Sequence, residues 1–245
     1  MANARALDKR RKSIRNIRKI TRTMELIATA RYKKAMDRAA AVTAYTEQIT
    51  RIVSRLIAAG TKVDHPLLQQ REKTNVARVL VLSSNRGLCG GYNASVMRAA
   101  MLRIEELKAS VPKMLVDVSG KRGINGLKFR NVETSQRYTQ FEDQPAYDEV
   151  EKIANDYLQQ YTLGEVDRLD VVYTKFISTS RQVAVVETLL PLGSIGGDAG
   201  AADSEKSSEF EFLPSAESIL EEIVPTSFKI KLFKCFLDAA VSEQG

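Results

Sequence analysis

Between Ala4 and Ala58 the sequence contains neither proline nor glycine, and its residues are mostly Ala, Arg, Lys, Ile and Met. Such residues lose little conformational freedom in a helix, so the stretch predicts one continuous helix about 80 Å long. A chain that opens with a rod of this length must cover it or expose it, and that choice constrains everything after it. A heptad written from Leu7 places Leu7, Ile14, Thr21, Ala28, Ala35, Val42, Ile49 and Leu56 on one stripe. Ile17, Met24, Tyr45 and Ile52 fall on the adjoining stripe, which also receives Arg10, Arg31 and Arg38. The pattern is a coiled-coil seam. Its small and basic middle predicts close approach of another helix, with arginines turned toward a third party.

Charge is divided unevenly along the chain. Residues 1–60 hold fifteen Lys or Arg against Asp8, Glu25, Asp37 and Glu47, so that a chain of net charge +7 carries +11 there and −4 over its other 185 residues. A segment this lopsided repels itself until an acidic partner neutralises it, whether nucleic acid, lipid or protein. No run of 18 apolar residues and no secretory leader pattern is present in the sequence, which predicts a soluble, cytosolic chain. Cys89 and Cys235 stand 146 positions apart, a spacing of neither a metal site nor a disulfide scaffold, and both read as reduced apolar residues. The lone His65, in Val-Asp-His-Pro-Leu, reads as a loop residue rather than a ligand.

Gly60 and Asp64-His65-Pro66 close the rod, and the texture then changes. Residues 76–83 and 114–119 read as buried strands, 94–108 as a helix capped by Asn93, and 145–161 as an amphipathic helix. Residues 169–177 and 182–190 read as a hairpin turned at Ser178-Thr-Ser-Arg181, and glycines at 120, 123 and 126 follow the second strand. Strands alternating with helices predict a Rossmann-like α/β layer over residues 75–192, mostly parallel with an antiparallel edge. Residues 193–208 have the composition of a flexible linker. Within 209–245 the pattern gives a short strand at 209–213, a helix capped by Ser215 with a kink or a restart at Pro225, and a seam of Phe228, Leu232, Cys235 and Ala239 suited to packing on the first helix.

The turn Asn85-Arg-Gly-Leu-Cys-Gly-Gly-Tyr-Asn93 lies between a strand and a helix, where backbone amides attract anions. Its glycines at 87, 90 and 91 fit neither GxGxxG nor Walker A spacing, and the Lys-Ser/Thr pair is missing. Gly87, Cys89, Gly90, Gly91 and Asn93 therefore read as a tight structural turn whose glycines let backbones approach. Two rival functions stay open on the residues: a basic coiled coil gripping nucleic acid, disfavoured because its cations are spread between apolar seam positions, and a nucleotide-dependent enzyme using this turn.

Gly87-Leu-Cys-Gly-Gly-Tyr-Asn93 resembles the signature loop of F-type ATP synthase γ subunits, and Arg11 to Ala28 resembles that family's N-terminal helix. Asp170-Val-Val-Tyr-Thr-Lys-Phe176, Leu189-Leu-Pro-Leu192 and Phe236 to Glu243 extend the resemblance, in order, over nearly the whole chain. It implies an antiparallel coiled coil of N- and C-terminal helices inserted through a ring of α and β subunits, with the α/β domain at the foot against the ε subunit and the c-ring. On that reading the chain is a rotor that couples proton flow to ATP synthesis or hydrolysis. It catalyses nothing itself, holds no cofactor, binds no nucleic acid and meets the membrane only through the c-ring. The absence of an organellar presequence points to a bacterial protein on the cytoplasmic face of the inner membrane. Partner contacts are expected at Arg10, Ile17, Met24, Arg31, Lys33, Lys34 and Arg38, the cations facing acidic β-subunit loops and Met24 standing where the family has a bearing methionine. The sequence given stops soon after Glu243, where the family's final helix continues. Residues 226–244 are therefore expected to cover only about residues 38–56 of the first helix, leaving Leu7, Ile14, Ile17, Ile20, Met24 and Ile27 without an intrachain partner.

Overall fold

The computed structural model describes residues 2–58, 65–69, 71, 73–141, 144–192 and 216–244. The linker expected at 193–208, the strand at 209–213, the Ser215 cap and the side chains of Ile52 and Leu56 lie outside the described residues. Helix α1 runs unbroken from Ala2 to Ala58. The α/β layer follows with β1 (Val76–Leu82), α2 (Tyr92–Ser110), β2 (Lys113–Ser119), α3 (Lys121–Phe129), β3 (Gln136–Tyr138), α4 (Tyr147–Thr162), β4 (Arg168–Ser178) and β5 (Arg181–Leu190), and α5 spans Ala216–Gln244. The sheet order is β3-β2-β1-β4-β5; β1 pairs in parallel with β2 and β4, β2 with β3, and only β5 is antiparallel, as β4's hairpin partner.

Pleating sorts the two faces of the sheet. Ala77, Val79 and Val81 of β1, with Val116, Val118 and Val172, pack under α2 and α3 against Val96, Ala100, Ile104 and Leu127. Leu80 and Leu82, with Leu169, Val171 and Tyr173, pack on the opposite face against Val150, Ile153 and Tyr157 of α4 and Val224, Phe228, Leu232 and Cys235 of α5. This second face also buries a charged group. Asp117 accepts hydrogen bonds from Arg78 Nη1 at 2.7 Å, Tyr157 Oη at 2.8 Å and the Gln136 amide at 3.1 Å. Burial first, then the neighbouring carboxylate, pushes the Tyr157 phenol well above its ordinary range, so it stays a donor.

The glycine-rich stretch after β2, to which the sequence pattern assigns no element, is a helix, α3. The chain accepts glycine's helix penalty there because of a close pass: a Cβ on Gly120 or Gly123 would sit 2.1 Å from the Ser83 carbonyl oxygen or 2.3 Å from its Oγ. Gly120 also has φ +98°. β3 is only three residues long and shows no period to read.

Helix α5 runs through Pro225 as one element. Its stripe of Phe228, Leu232, Cys235 and Ala239 lies in the sheet-face core, which α1 joins through Ile49 and Val42, so the stripe serves the sheet as well as α1. Further along the seam Leu237 and Val241 bury Ala35 and Ala39 of α1, with Tyr32, Met36, Val42, Phe233 and Phe176 around them. The two helices run antiparallel, since Ala35 meets the end of α5 and Ile49 clusters with its earlier residues. Along α1 the inward positions are Tyr32, Ala35, Ala39, Val42, Thr46 and Ile49, which are half-buried or buried. The second stripe therefore falls one residue later than the sequence frame placed it, and Arg38 and Tyr45 turn out to solvent. The physical reason is that a guanidinium in that seam would need a buried partner, whereas Ala39 lets the helices close up.

Candidate functional site

Every residue from Ala4 to Ala30 is exposed, a projecting span of about 40 Å at helical rise. Leu7, Ile14, Ile17, Ile20, Met24 and Ile27 all lie on it, with Leu7 63% and Met24 51% exposed, as the seam argument expected. Coverage by the rest of the chain begins at Arg31 and Tyr32, nearly two turns nearer the tip than the length of α5 alone suggested. The extra coverage comes from the end of α5, whose Leu237 and Val241 bury Ala35, and from the β4–β5 hairpin, whose Phe176 meets the Tyr32 ring edge-on with centroids 6.4 Å apart.

The same span carries nine Lys or Arg against Asp8 and Glu25. Arg11 pairs with Asp8 and Arg22 with Glu25, each at 2.8 Å one turn away, exposed pairs worth only tenths of a kcal/mol. Arg10, Lys33, Lys34 and Arg38 are exposed and form no ion pair among the described residues, while Arg31 is half-buried next to Tyr32. The structure thus gathers Arg31, Lys33, Lys34 and Arg38 on two turns at the base of the projecting span. Arg10, Ile17 and Met24 stand along it, Arg10 about 40 Å from Arg38. Together they form a surface of apolar side chains ringed by cations, fit to dock against carboxylates and apolar residues of another protein.

A second exposed feature is the turn between β1 and α2. Leu88 sits at its tip with φ +67° and 95% of its surface exposed, and Gly90 follows at φ +50°. An apolar residue held out in a left-handed conformation was not singled out in the sequence, although its place between Gly87 and Gly90 is the available signal. The expected roles of the turn residues need correction. Asn93 is not the helix cap: Gly91 occupies that position without a side-chain bond, and Asn93 lies inside α2. Its side chain instead ties the turn, accepting the Ser84 amide at 3.1 Å and donating to Ser84 Oγ at 2.7 Å and Cys89 Sγ at 2.9 Å. Nor do the turn's glycines mediate close backbone approach; a Cβ on Gly90 or Gly91 would meet nothing within 4 Å, and one on Gly87 would meet only the Arg122 guanidinium. His65 accepts the Leu67 amide at its Nδ1, a local loop bond. Among the described residues no helix is long and apolar enough to cross a membrane.

A family model described as ATP synthase matches residues 3–245. The chain is 75% identical over 247 residues to the ATP synthase gamma chain of Rhodopirellula baltica, covering all of this chain and 83% of that one. It is 36% identical over 236 residues to the gamma chain of a Nocardioides species, covering 95% and 78%. Among solved structures it is similar to the central stalk and c-ring of the Tetrahymena thermophila mitochondrial ATP synthase, with a TM-score of 0.52 and 17% identity over 89% of this chain and 94% of that one, a likeness of fold. The long antiparallel helix pair, the α/β foot and a match that runs from residue 3 to residue 245 have one reading: this chain belongs to the family of ATP synthase γ chains.

Proposed function

We propose that the chain is the central-stalk rotor of an F-type ATP synthase and has no catalytic step of its own. Its α/β foot rides with a ring of membrane c subunits and meets an ε subunit, while the projecting part of α1 stands inside a ring of α and β subunits. Ion flow turns the foot, and the asymmetric shaft drives the catalytic β subunits through their conformations in sequence. The complex would lie on the cytoplasmic face of a bacterial inner membrane, with this chain peripheral to it. One observation carries the reading: 27 consecutive helical residues, apolar on one side and basic elsewhere, project uncovered from a packed domain. Such a span is stable only where a collar supplies the missing apolar area and carboxylates.

The test is reassembly with α, β and ε subunits. Arg31→Ala with Lys33→Ala should lower the ATPase rate of the complex and flatten its dependence on salt. A rate, salt dependence and assembly yield all equal to those of the parent chain would remove the electrostatic role assigned to these residues.

A further inference from the structure

The β4–β5 hairpin outgrows the sheet that carries it. β1 pairs with β4 only as far as Val172, whereas β5 stays beside β4 through Tyr173, Thr174, Lys175 and Phe176 to Ser178. The last six residues of β4 therefore belong to a two-stranded ribbon, about 20 Å long at strand rise. Such a ribbon is marginal alone, and two ties to the end of α5 support it. The Thr174 carbonyl accepts Ser242 Oγ at 3.3 Å, and Phe176 packs against the cluster of Leu237, Val241, Ala35 and Ala39.

The ribbon carries Phe176 to the root of the projecting span. Phe176 and Tyr32 stand with ring planes 71° apart, and Tyr32 with its neighbour Arg31 is the outermost part of α1 that the chain covers. The Tyr32 hydroxyl oxygen is buried without a hydrogen-bond partner among the described residues, so ring packing rather than a polar bond holds this side chain.

The rod is thus held at two levels by two different elements. Ala35 and Ala39 meet Leu237 and Val241 of α5, which makes a pivot. Tyr32, one turn nearer the tip, meets a ring rooted in the sheet, so a swing of α1 about the pivot must push against the foot itself. We propose that Phe176 is a positioning residue for coupling: through Tyr32 it holds the projecting span of α1 at a fixed angle to the α/β foot, so that torque applied at the foot reaches the tip as rotation rather than as bending. The coupling role rests on the rotor reading; the brace itself does not.

Hydrogen exchange on the isolated full chain tests the brace, and ion uptake by the whole complex in vesicles tests its role in coupling. Phe176→Ala should speed exchange of amides 31–35 about three- to tenfold, the worth of an edge-to-face ring pair, and leave amides 45–49 and 79–81 as in the parent chain. Phe176→Leu, which keeps the bulk, should recover most of that protection, and Tyr32→Phe, which loses only the unpartnered hydroxyl, should change nothing. In the complex, Phe176→Ala should leave ATP hydrolysis near the parent rate when the ion gradient is collapsed. It should lower ATP-driven ion uptake against a gradient by about the same three- to tenfold factor, and Phe176→Leu should restore uptake. Unchanged exchange at amides 31–35, equal speeding in all three regions, an effect of Tyr32→Phe as large as that of Phe176→Ala, or uptake and unloaded hydrolysis falling together would overturn the assignment. Failure of the parent chain itself to couple hydrolysis to uptake would overturn the rotor reading and the coupling role with it, while exchange would still decide the brace.

Discussion

The two halves of α1 have similar helix-forming composition and opposite surroundings. Residues 4–30 are exposed throughout, whereas residues 31–49 bury Ala35, Ala39 and Ile49 against α5 and the sheet. Their apolar faces also point in different directions. In the lower half the inward side is set by Tyr32, Ala39 and Thr46 beside Ala35, Val42 and Ile49; in the upper half Ile17 and Met24 accompany Leu7 and Ile14, and the positions in phase with Tyr32 are Arg11, Arg18 and Glu25. The apolar stripe therefore turns round the helix axis between the halves. A protein that covers the upper half must approach from a different side than α5 does below, or wind round the rod to reach it. Helix propensity is common to both halves; tertiary support belongs to one.

The contrast can be broken from the supported side first. Asp117→Asn leaves the Arg78 guanidinium buried without its counter-ion and should lower the stability of the foot by about 3–5 kcal/mol, read by chemical denaturation. A loss under about 1 kcal/mol would mean that Tyr157 and the sheet backbone, not the ion pair, hold this face together. Hydrogen exchange on the isolated chain measures the contrast directly. Amides 35–49 should be protected about 100-fold or more over amides 8–27, because the upper half has only local helix bonds to resist opening. Equal protection would reveal a partner for the upper stripe within the chain.

Ala39→Leu should cost about 1–3 kcal/mol by forcing α1 and α5 apart at Leu237 and Val241, whereas a leucine at Ala30, outside the packed stretch, should be neutral. A smaller effect concerns pH. Burial raises the Asp238 carboxyl above 3.8, only partly offset by Lys234 at 2.9 Å and by Lys175, with Glu187 adding to the rise. The folded value thus exceeds the unfolded one, so the contribution of this group is fully present below 3.8 and is lost as pH rises through the folded value. Asp238→Asn should flatten the melting temperature over that interval, and a parent-like slope would assign the pH dependence to other groups. Smallest of all, Ile17→Ala or Met24→Ala should change the stability of the isolated chain by less than about 0.5 kcal/mol. The same substitutions should matter only in the assembled complex, where ATP-driven rotation is the readout.

The uninterrupted helix, the strand and helix order and the exposed stripe were legible because each rests on a residue pattern that one element satisfies by itself. Features that depend on two elements meeting were not. α3 was hidden because Gly120 and Gly123 answer to Ser83, some forty residues away, rather than to helix propensity. The seam between α1 and α5 was misread by one residue since the choice between Arg38 and Ala39 is made by Leu237 and Val241. Asn93 looked like a cap, and its side chain went instead to Ser84 and Cys89, groups that only the folded turn brings within reach. Leu88 could have been noticed, but its left-handed backbone cannot be read from composition.

The clamp at Ala35 and Ala39 also fixes a geometry of leverage. From there to Ala4 the rod is a cantilever about 50 Å long at helical rise, so a 10° tilt at its root carries the free end sideways by about 9 Å. Two methyl groups against Leu237 and Val241 set that root angle. A change of one or two carbon atoms at the pivot, far from any surface the tip touches, is thereby magnified into a displacement the width of a helix backbone.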